Sequence, residues 1–247
     1  MLSNLDIIMF RSSLILSMGK IRLSQEPNVA KKAFTLAELL VVLVVVGVIG
    51  GIAIPAVYQN IQDAQNKTQW KATYSMFAQA VRELATDNGG DLAGTFTNAD
   101  VFRDKILAYM NYVKKCDAGT PVGSNGCWSD ITYKLSGENY SFISWTRAAL
   151  NNGVLMTSYI ASSSCASNLS GRGNTCSFVG FDVNGFQGPN KIGKDIFALW
   201  VLRDGNILPT GSKGDFCYNN PASYSCDVVT YSTNNEGWSC STDYLKR

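Results

Sequence analysis

The stretch Lys31–Tyr58, KKAFTLAELLVVLVVVGVIGGIAIPAVY, decides how the rest of the chain is read. Two lysines close a polar leader, and from Leu39 to Tyr58 no ionisable side chain occurs except the terminal tyrosine. About 20 residues at about 1.5 Å each give a helix of about 30 Å, the thickness of the hydrocarbon core of a bilayer. Lysines in front of such a run stay on the cytoplasmic side, so the reading predicts a single pass with the following chain on the far side. Glu38 departs from a plain anchor. A carboxylate at the edge of an apolar run costs about 2–3 kcal/mol or more near the middle of a bilayer, so its charge calls for a partner.

The cassette Lys31-Lys32-Ala33-Phe34-Thr35-Leu36-Ala37-Glu38 ahead of the apolar run resembles the processing site of type IV prepilins and type II secretion pseudopilins. The resemblance implies cleavage between Ala33 and Phe34 by a prepilin peptidase, then N-methylation of Phe34. The family's usual residue before the cut is glycine. Ala33 is also small, and cleavage is expected. Pro55 falls where many members carry a helix-disrupting proline. The resemblance further implies that Glu38 neutralises the free amine of Phe34 on a neighbouring copy, since two buried opposite charges that pair cost far less than either alone. Glu38 and Phe34 are thus read as assembly residues, with no catalytic residue and no enzymatic activity expected. Implied partners are copies of the chain and related (pseudo)pilins, the peptidase, and an inner-membrane platform driven by a separate cytoplasmic ATPase. The chain itself has no Gly-x-x-x-x-Gly-Lys phosphate loop.

Composition narrows the remainder. Residues 1–33 carry Arg11, Lys20, Arg22, Lys31 and Lys32 against Asp6 and Glu26, a net +3; the whole chain is +2, leaving −1 beyond the leader. The basic balance therefore belongs to the leader, and nucleic-acid binding is not expected. Histidine is absent, which excludes Ser-His-Asp and Cys-His nucleophilic sites and any His-ligated metal. All seven cysteines follow the apolar run, from Cys116 to Cys240, as disulfides formed in an oxidising compartment would. Spacing favours Cys116–Cys127, Cys165–Cys176 and Cys217–Cys226 with Cys240 left over, although Cys240 can displace Cys217 or Cys226. With no Cys-x-x-Cys pair, zinc is disfavoured.

Four segments follow: a cleaved leader over residues 1–33, an apolar half-helix over 34–58, an amphipathic half-helix over 59–90, and a globular part over 91–247. Met18 would give a shorter, more polar leader and is read as the translation start, with a genuine long leader as the alternative. Gly47, Gly50, Gly51 and Pro55 are expected to break the helix locally. Ile61, Ala64, Ala72, Met76, Ala80 and Leu84 recur at helical spacing, and Asp87-Asn88-Gly89-Gly90 should stop the helix. A second helix is expected over Asn98–Val113. Strands are expected at Ile131–Lys134, Tyr140–Trp145, Val154–Ile160, Ser177–Val183 and Phe197–Arg203, with Ile207–Leu208 after an Asp204-Gly205 turn. The fold class is α+β: a long transmembrane-plus-amphipathic helix packed on a small antiparallel sheet with disulfide-tied loops.

One further constellation stands out. Phe181–Phe197, FDVNGFQGPNKIGKDIF, gathers Asp182, Asn184, Asn190 and Asp195 among Gly185, Gly188, Pro189 and Gly193. Calcium takes six to eight oxygens from carboxylates, amides and carbonyls, and this loop offers them without EF-hand spacing. Calcium loops also occur in several pseudopilins. The alternative is a connector whose Asp, Asn and Gly residues serve turn geometry. Two other functional classes remain open: a minor tip subunit acting as adhesin or uptake receptor, and a signal-anchored periplasmic protein. Pilus and secretion pseudopilus are not separated by the sequence.

Overall fold

A computed structural model describes residues 34–123, 126–160, 162–227 and 234–246. The leader, Met18 and Ala33 lie outside them. The chain divides into two units, one ending at Gly50 and the other beginning at Gly51.

In the first unit α1 (Leu36–Asp87) begins, and its side chains from Leu39 to Ile49 are 50–68% exposed apart from small Gly47. The expected transmembrane helix is corrected here. Among the described residues no helix is long and apolar enough to cross a membrane. The expected break at Gly47, Gly50, Gly51 and Pro55 is corrected too, because α1 is helical without interruption across them. Proline removes one ladder hydrogen bond and glycine costs only about 1 kcal/mol, while the turns on either side keep their own bonds.

In the second unit the sheet is larger than the small one expected. Six antiparallel strands follow the order β1-β4-β5-β6-β7-β8: β1 (Tyr112–Cys116), β4 (Thr146–Leu150), β5 (Leu155–Ile160), β6 (Thr175–Asp182), β7 (Ile196–Leu202) and β8 (Ile207–Pro209). A separate two-stranded sheet pairs β2 (Thr132–Tyr133) with β3 (Asn139–Tyr140). Strand β7 explains the layering. Phe197, Leu199 and Val201 face one side, and Ile196, Ala198, Trp200 and Leu202 the other, all buried. A period of two with both faces apolar requires a cover on each face. On the first face that cover is α1 through Trp70, Phe77, Val81 and Leu84, together with Phe102 and Ile106 of α2 (Ala99–Leu107). On the second it is a layer of loops carrying Trp128, Phe142 and Trp238. Among the described side chains of this unit α1 is first buried at Asn66, and burial then recurs at Trp70, Thr73, Phe77, Ala80 and Leu84, the spacing of one helical stripe.

Local chemistry sets the boundaries. Helix α1 stops before Gly89 and Gly90, whose positive φ angles of 74° and 84° turn the chain so that the Gly90 N–H reaches the Ala85 carbonyl at 2.8 Å. The Asn98 side chain caps α2 by accepting from the Val101 N–H at 2.9 Å. The Asp204-Gly205 turn before β8 needs glycine twice over. Its φ is +78°, and a Cβ there would lie 2.4 Å from that of Ala85 on α1.

Two strands were not expected. Tyr112 and Val113, read as the end of a helix, begin the edge strand β1; α2 ends at Leu107 and three tight-turn hydrogen bonds follow it. Thr146–Leu150 takes the strand position expected at Tyr140–Trp145, because pairing with β1 and β5 on both sides outweighs the weak strand propensity of Arg147, Ala148 and Ala149.

Disulfides join Cys116 to Cys127, Cys165 to Cys176, and Cys226 to Cys240. The Cys217–Cys226 pairing is therefore corrected, and Cys217 is a buried free thiol. Cys217 lies at the start of α3 (Phe216–Asn219), whereas Cys226 follows α4 (Pro221–Tyr224) and meets α5 (Cys240–Lys246). Two consecutive short helices set the nearer cysteines apart and bring the more distant pair together.

Candidate functional sites at Glu38 and the 183–195 loop

In the first unit, Thr35 and Glu38 form a reciprocal cap at the start of α1. The Thr35 N–H and hydroxyl donate to Glu38 Oε2 at 2.8 and 2.9 Å, and the Glu38 N–H donates to the Thr35 hydroxyl at 3.2 Å. This is the Thr-x-x-Glu capping box, which satisfies amides that the first helical turn leaves open. Its donors to the carboxylate are neutral, so they orient Glu38 without compensating its charge. Phe34, beside it, is 80% exposed. Thr35 was not singled out in the sequence, yet the Thr-x-x-Glu spacing was readable there.

In the second unit, the connection from β6 to β7 carries the oxygen-rich constellation. Asp182 ends β6 and Asp195 precedes β7, and both are fully buried. Asp195 holds the loop in shape by accepting the Asn190 and Lys191 N–H groups at 2.7 and 2.6 Å. Asn190 has a positive φ of 50°, and the Gly188–Pro189 bond is cis. Asn184 Nδ2 donates to the Gly188 carbonyl at 3.2 Å, while Asn184 Oδ1 and Asp182 Oδ1 are buried without a hydrogen-bond partner. Turning over the Asn190 amide puts its nitrogen 3.2 Å from the Gln187 carbonyl and 3.3 Å from Asp182 Oδ2. With its oxygen there instead, the amide faces only acceptors on that side. Burial, then the neighbouring Asp195 carboxylate, push Asp182 well above the usual carboxylate range, with the Asn184 and Gly185 N–H groups opposing. Burial pushes Asp195 up to about 6, against the Lys191 and Asn190 N–H groups.

No protein-family model matches the chain, and no solved structure matches it. Function is therefore argued from these two sites.

Of the four expected calcium ligands, Asn190 meets Asp182 through its amide nitrogen, Asn184 reaches the Gly188 carbonyl, and both oxygens of Asp195 accept backbone N–H groups. The Gln187 carbonyl joins the cluster as an acceptor for that amide nitrogen, a role composition cannot reveal because every residue has a carbonyl. Among the described residues no group of three or more His, Cys, Asp and Glu could hold a metal. A single carboxylate facing an amide nitrogen falls short of the six to eight oxygens that calcium takes, and it does not suit zinc.

Proposed function

We propose that the chain is a structural subunit of the type IV pilin or type II secretion pseudopilin kind, cut between Ala33 and Phe34, methylated at Phe34, and assembled with copies of itself. One observation supports the reading above others. A lone carboxylate, Glu38, stands at the head of a helical stretch whose apolar side chains are at least half exposed. Contiguous exposed apolar surface of this kind needs a cover, and neighbouring copies supply one. Cleavage would create a cation at Phe34, and a Glu38 carboxylate on an adjacent copy would compensate it. Thr35 would hold that carboxylate in a fixed orientation. Before assembly the precursor would reside at the inner membrane, with the sheet-bearing part on the periplasmic side. Its partners would be the prepilin peptidase and an assembly platform driven by a cytoplasmic ATPase, and its role would be structural rather than enzymatic.

The test is Glu38→Ala in the native host, read as filament incorporation alongside precursor cleavage. Breaking a buried pair by removing one partner costs about 3–5 kcal/mol. Cleavage should continue while incorporation falls at least about a hundredfold, since each 1.4 kcal/mol is about tenfold. Wild-type incorporation would favour a signal-anchored periplasmic protein instead.

The β6–β7 loop keeps two buried oxygens without partners, Asp182 Oδ1 and Asn184 Oδ1, but the Asn190 amide nitrogen faces Asp182 Oδ2 and the Gln187 carbonyl, so the reading of the subunit includes no calcium there.

A further inference from the structure

The two oxygens left over in the β6–β7 loop call for a donor. Asp182 Oδ1 and Asn184 Oδ1 are both acceptors, both buried and both without a hydrogen-bond partner. The Asn190 amide nitrogen already faces Asp182 Oδ2 at 3.3 Å. An ionised Asp182 would thus be fully buried with one neutral donor beside it, and the charge acting on it is that of Asp195, of the same sign. Burying such an anion is costly. One proton on Asp182 removes the charge and turns a partnerless acceptor into a donor. Asp195 differs, because the Asn190 and Lys191 N–H groups give its carboxylate two donors.

The elements packed on the loop supply no compensating cation. On α1, Asp63 engages the ammonium of Lys194 at 3.7 Å, and Lys191 lines a cavity with Gln59 and Gln62. On the other side β2 holds the loop through the Tyr133 N–H to the Asn190 carbonyl and the Ile192 N–H to the Tyr133 carbonyl, both at 2.9 Å. The turn before β2 carries Asp130, which shares a cavity with Asn190. Gly193 lies against Gly237 and Cys240, and the acid of that segment, Glu236, accepts from the Trp238 indole at 2.8 Å. In the sheet, uncharged Leu155 stands opposite Asp182.

We propose that the β6–β7 loop is a latch closed by a proton: protonated Asp182 keeps it seated between α1 and β2, and loss of that proton to solvent base loosens it. The bond from Asn66 Nδ2 to the Lys194 carbonyl, 3.3 Å, is the link to α1 that the closed loop maintains. Burial raises both carboxyls above their unfolded values. The stabilisation is therefore complete in acid and begins to fade as pH rises through about 6, where Asp195 ionises. It is lost where Asp182 ionises second, against the charge of Asp195. The latch does not depend on how the chain assembles.

The experiment uses the full-length chain in detergent micelles. Carbon-13 NMR follows the Asp182 carboxyl, assigned through bonds to its own backbone, and it should titrate well above the ordinary aspartate value of about 3.9. Trypsin cleavage after Lys191, normalised to an unstructured peptide, reads the loop. From about pH 7 to about pH 9 it should accelerate at least about tenfold, as local opening becomes easier. Asp182→Asn stays neutral at every pH; its carbonyl can accept from Asn190 while its amide nitrogen takes the place of the protonated oxygen. Cleavage of that variant should stay slow throughout. An Asp182 carboxyl that titrates in the ordinary range overturns the latch, as does wild-type cleavage that ignores pH or an equal acceleration in Asp182→Asn.

Discussion

Trp70→Ala lowers the unfolding free energy of the chain by about 4 kcal/mol, within the roughly 3–5 kcal/mol range for truncating a fully buried aromatic. Trp70 is fully buried where α1 crosses the sheet. Its ring stacks on Phe197 at 5.2 Å and lies 6.3 Å from Phe181. Its indole N–H donates to the Ser241 carbonyl at 3.0 Å, tying α1 to α5. The alanine variant leaves a cavity against β7 and a buried carbonyl without its donor. Trp70→Phe separates the two effects. It retains most of the ring and loses the donor, so it should cost about 1–3 kcal/mol, the penalty of an unsatisfied buried group. Denaturant unfolding of the full chain, followed by near-ultraviolet dichroism, measures both. Equal losses for the two variants would show that the hydrogen bond outweighs the packing.

Arg103→Met carries the second large effect, a loss of about 3 kcal/mol, because hydrogen bonds from a charged donor to buried groups contribute about 1.5–3 kcal/mol each. The Arg103 side chain is 1% exposed and joins three elements. Nη1 donates to the Cys116 carbonyl at the end of β1 at 2.8 Å and to the Thr146 hydroxyl on β4 at 2.7 Å. Nη2 donates to Asp104 and Asp117, both at 2.8 Å. Those carboxylates are 44% and 73% exposed, and exposed pairs are worth about 0–1 kcal/mol each. The dominant loss is therefore at the buried end, where methionine removes the guanidinium from the Cys116 carbonyl and the Thr146 hydroxyl. Asp117→Ala should accordingly cost less than about 1 kcal/mol. Arg103→Lys should recover little, because an ammonium cannot fork to both groups in the plane the guanidinium uses. Chemical denaturation compares the three, and an Asp117→Ala loss equal to that of Arg103→Met would invert the ranking.

The sequence was most legible where one periodicity ruled. The alternation in β7 and the Asp204-Gly205 turn are local signals, as are the glycines that stop α1, and their consequences lie within a few residues. The Thr35–Glu38 cap is equally local. Arg147, Ala148 and Ala149 are poor strand formers, and β4 exists because strands distant in sequence bracket it. Tyr112 and Val113 continue a helical pattern in sequence, yet α2 ends at Leu107 because the chain must turn back to pair with β4. The cysteines follow the same rule. Spacing suffices for the two loops closed at a separation of 11 residues. It fails where α3 and α4 intervene and Cys226 reaches Cys240. At the oxygen-rich loop, composition pointed to Asp182, Asn184, Asn190 and Asp195 as equals. Only the fold separates them, turning Asp195 to the backbone and leaving Asp182 with a partnerless oxygen.

The most direct test of the account is the mass of the intact N-terminus of the protein recovered from membranes of its native host. The account predicts a chain that begins at Phe34 and carries one added methyl group. A chain still bearing its leader, in cells with active prepilin peptidase, would contradict it and reduce the cassette around Ala33 and Glu38 to a coincidence of sequence.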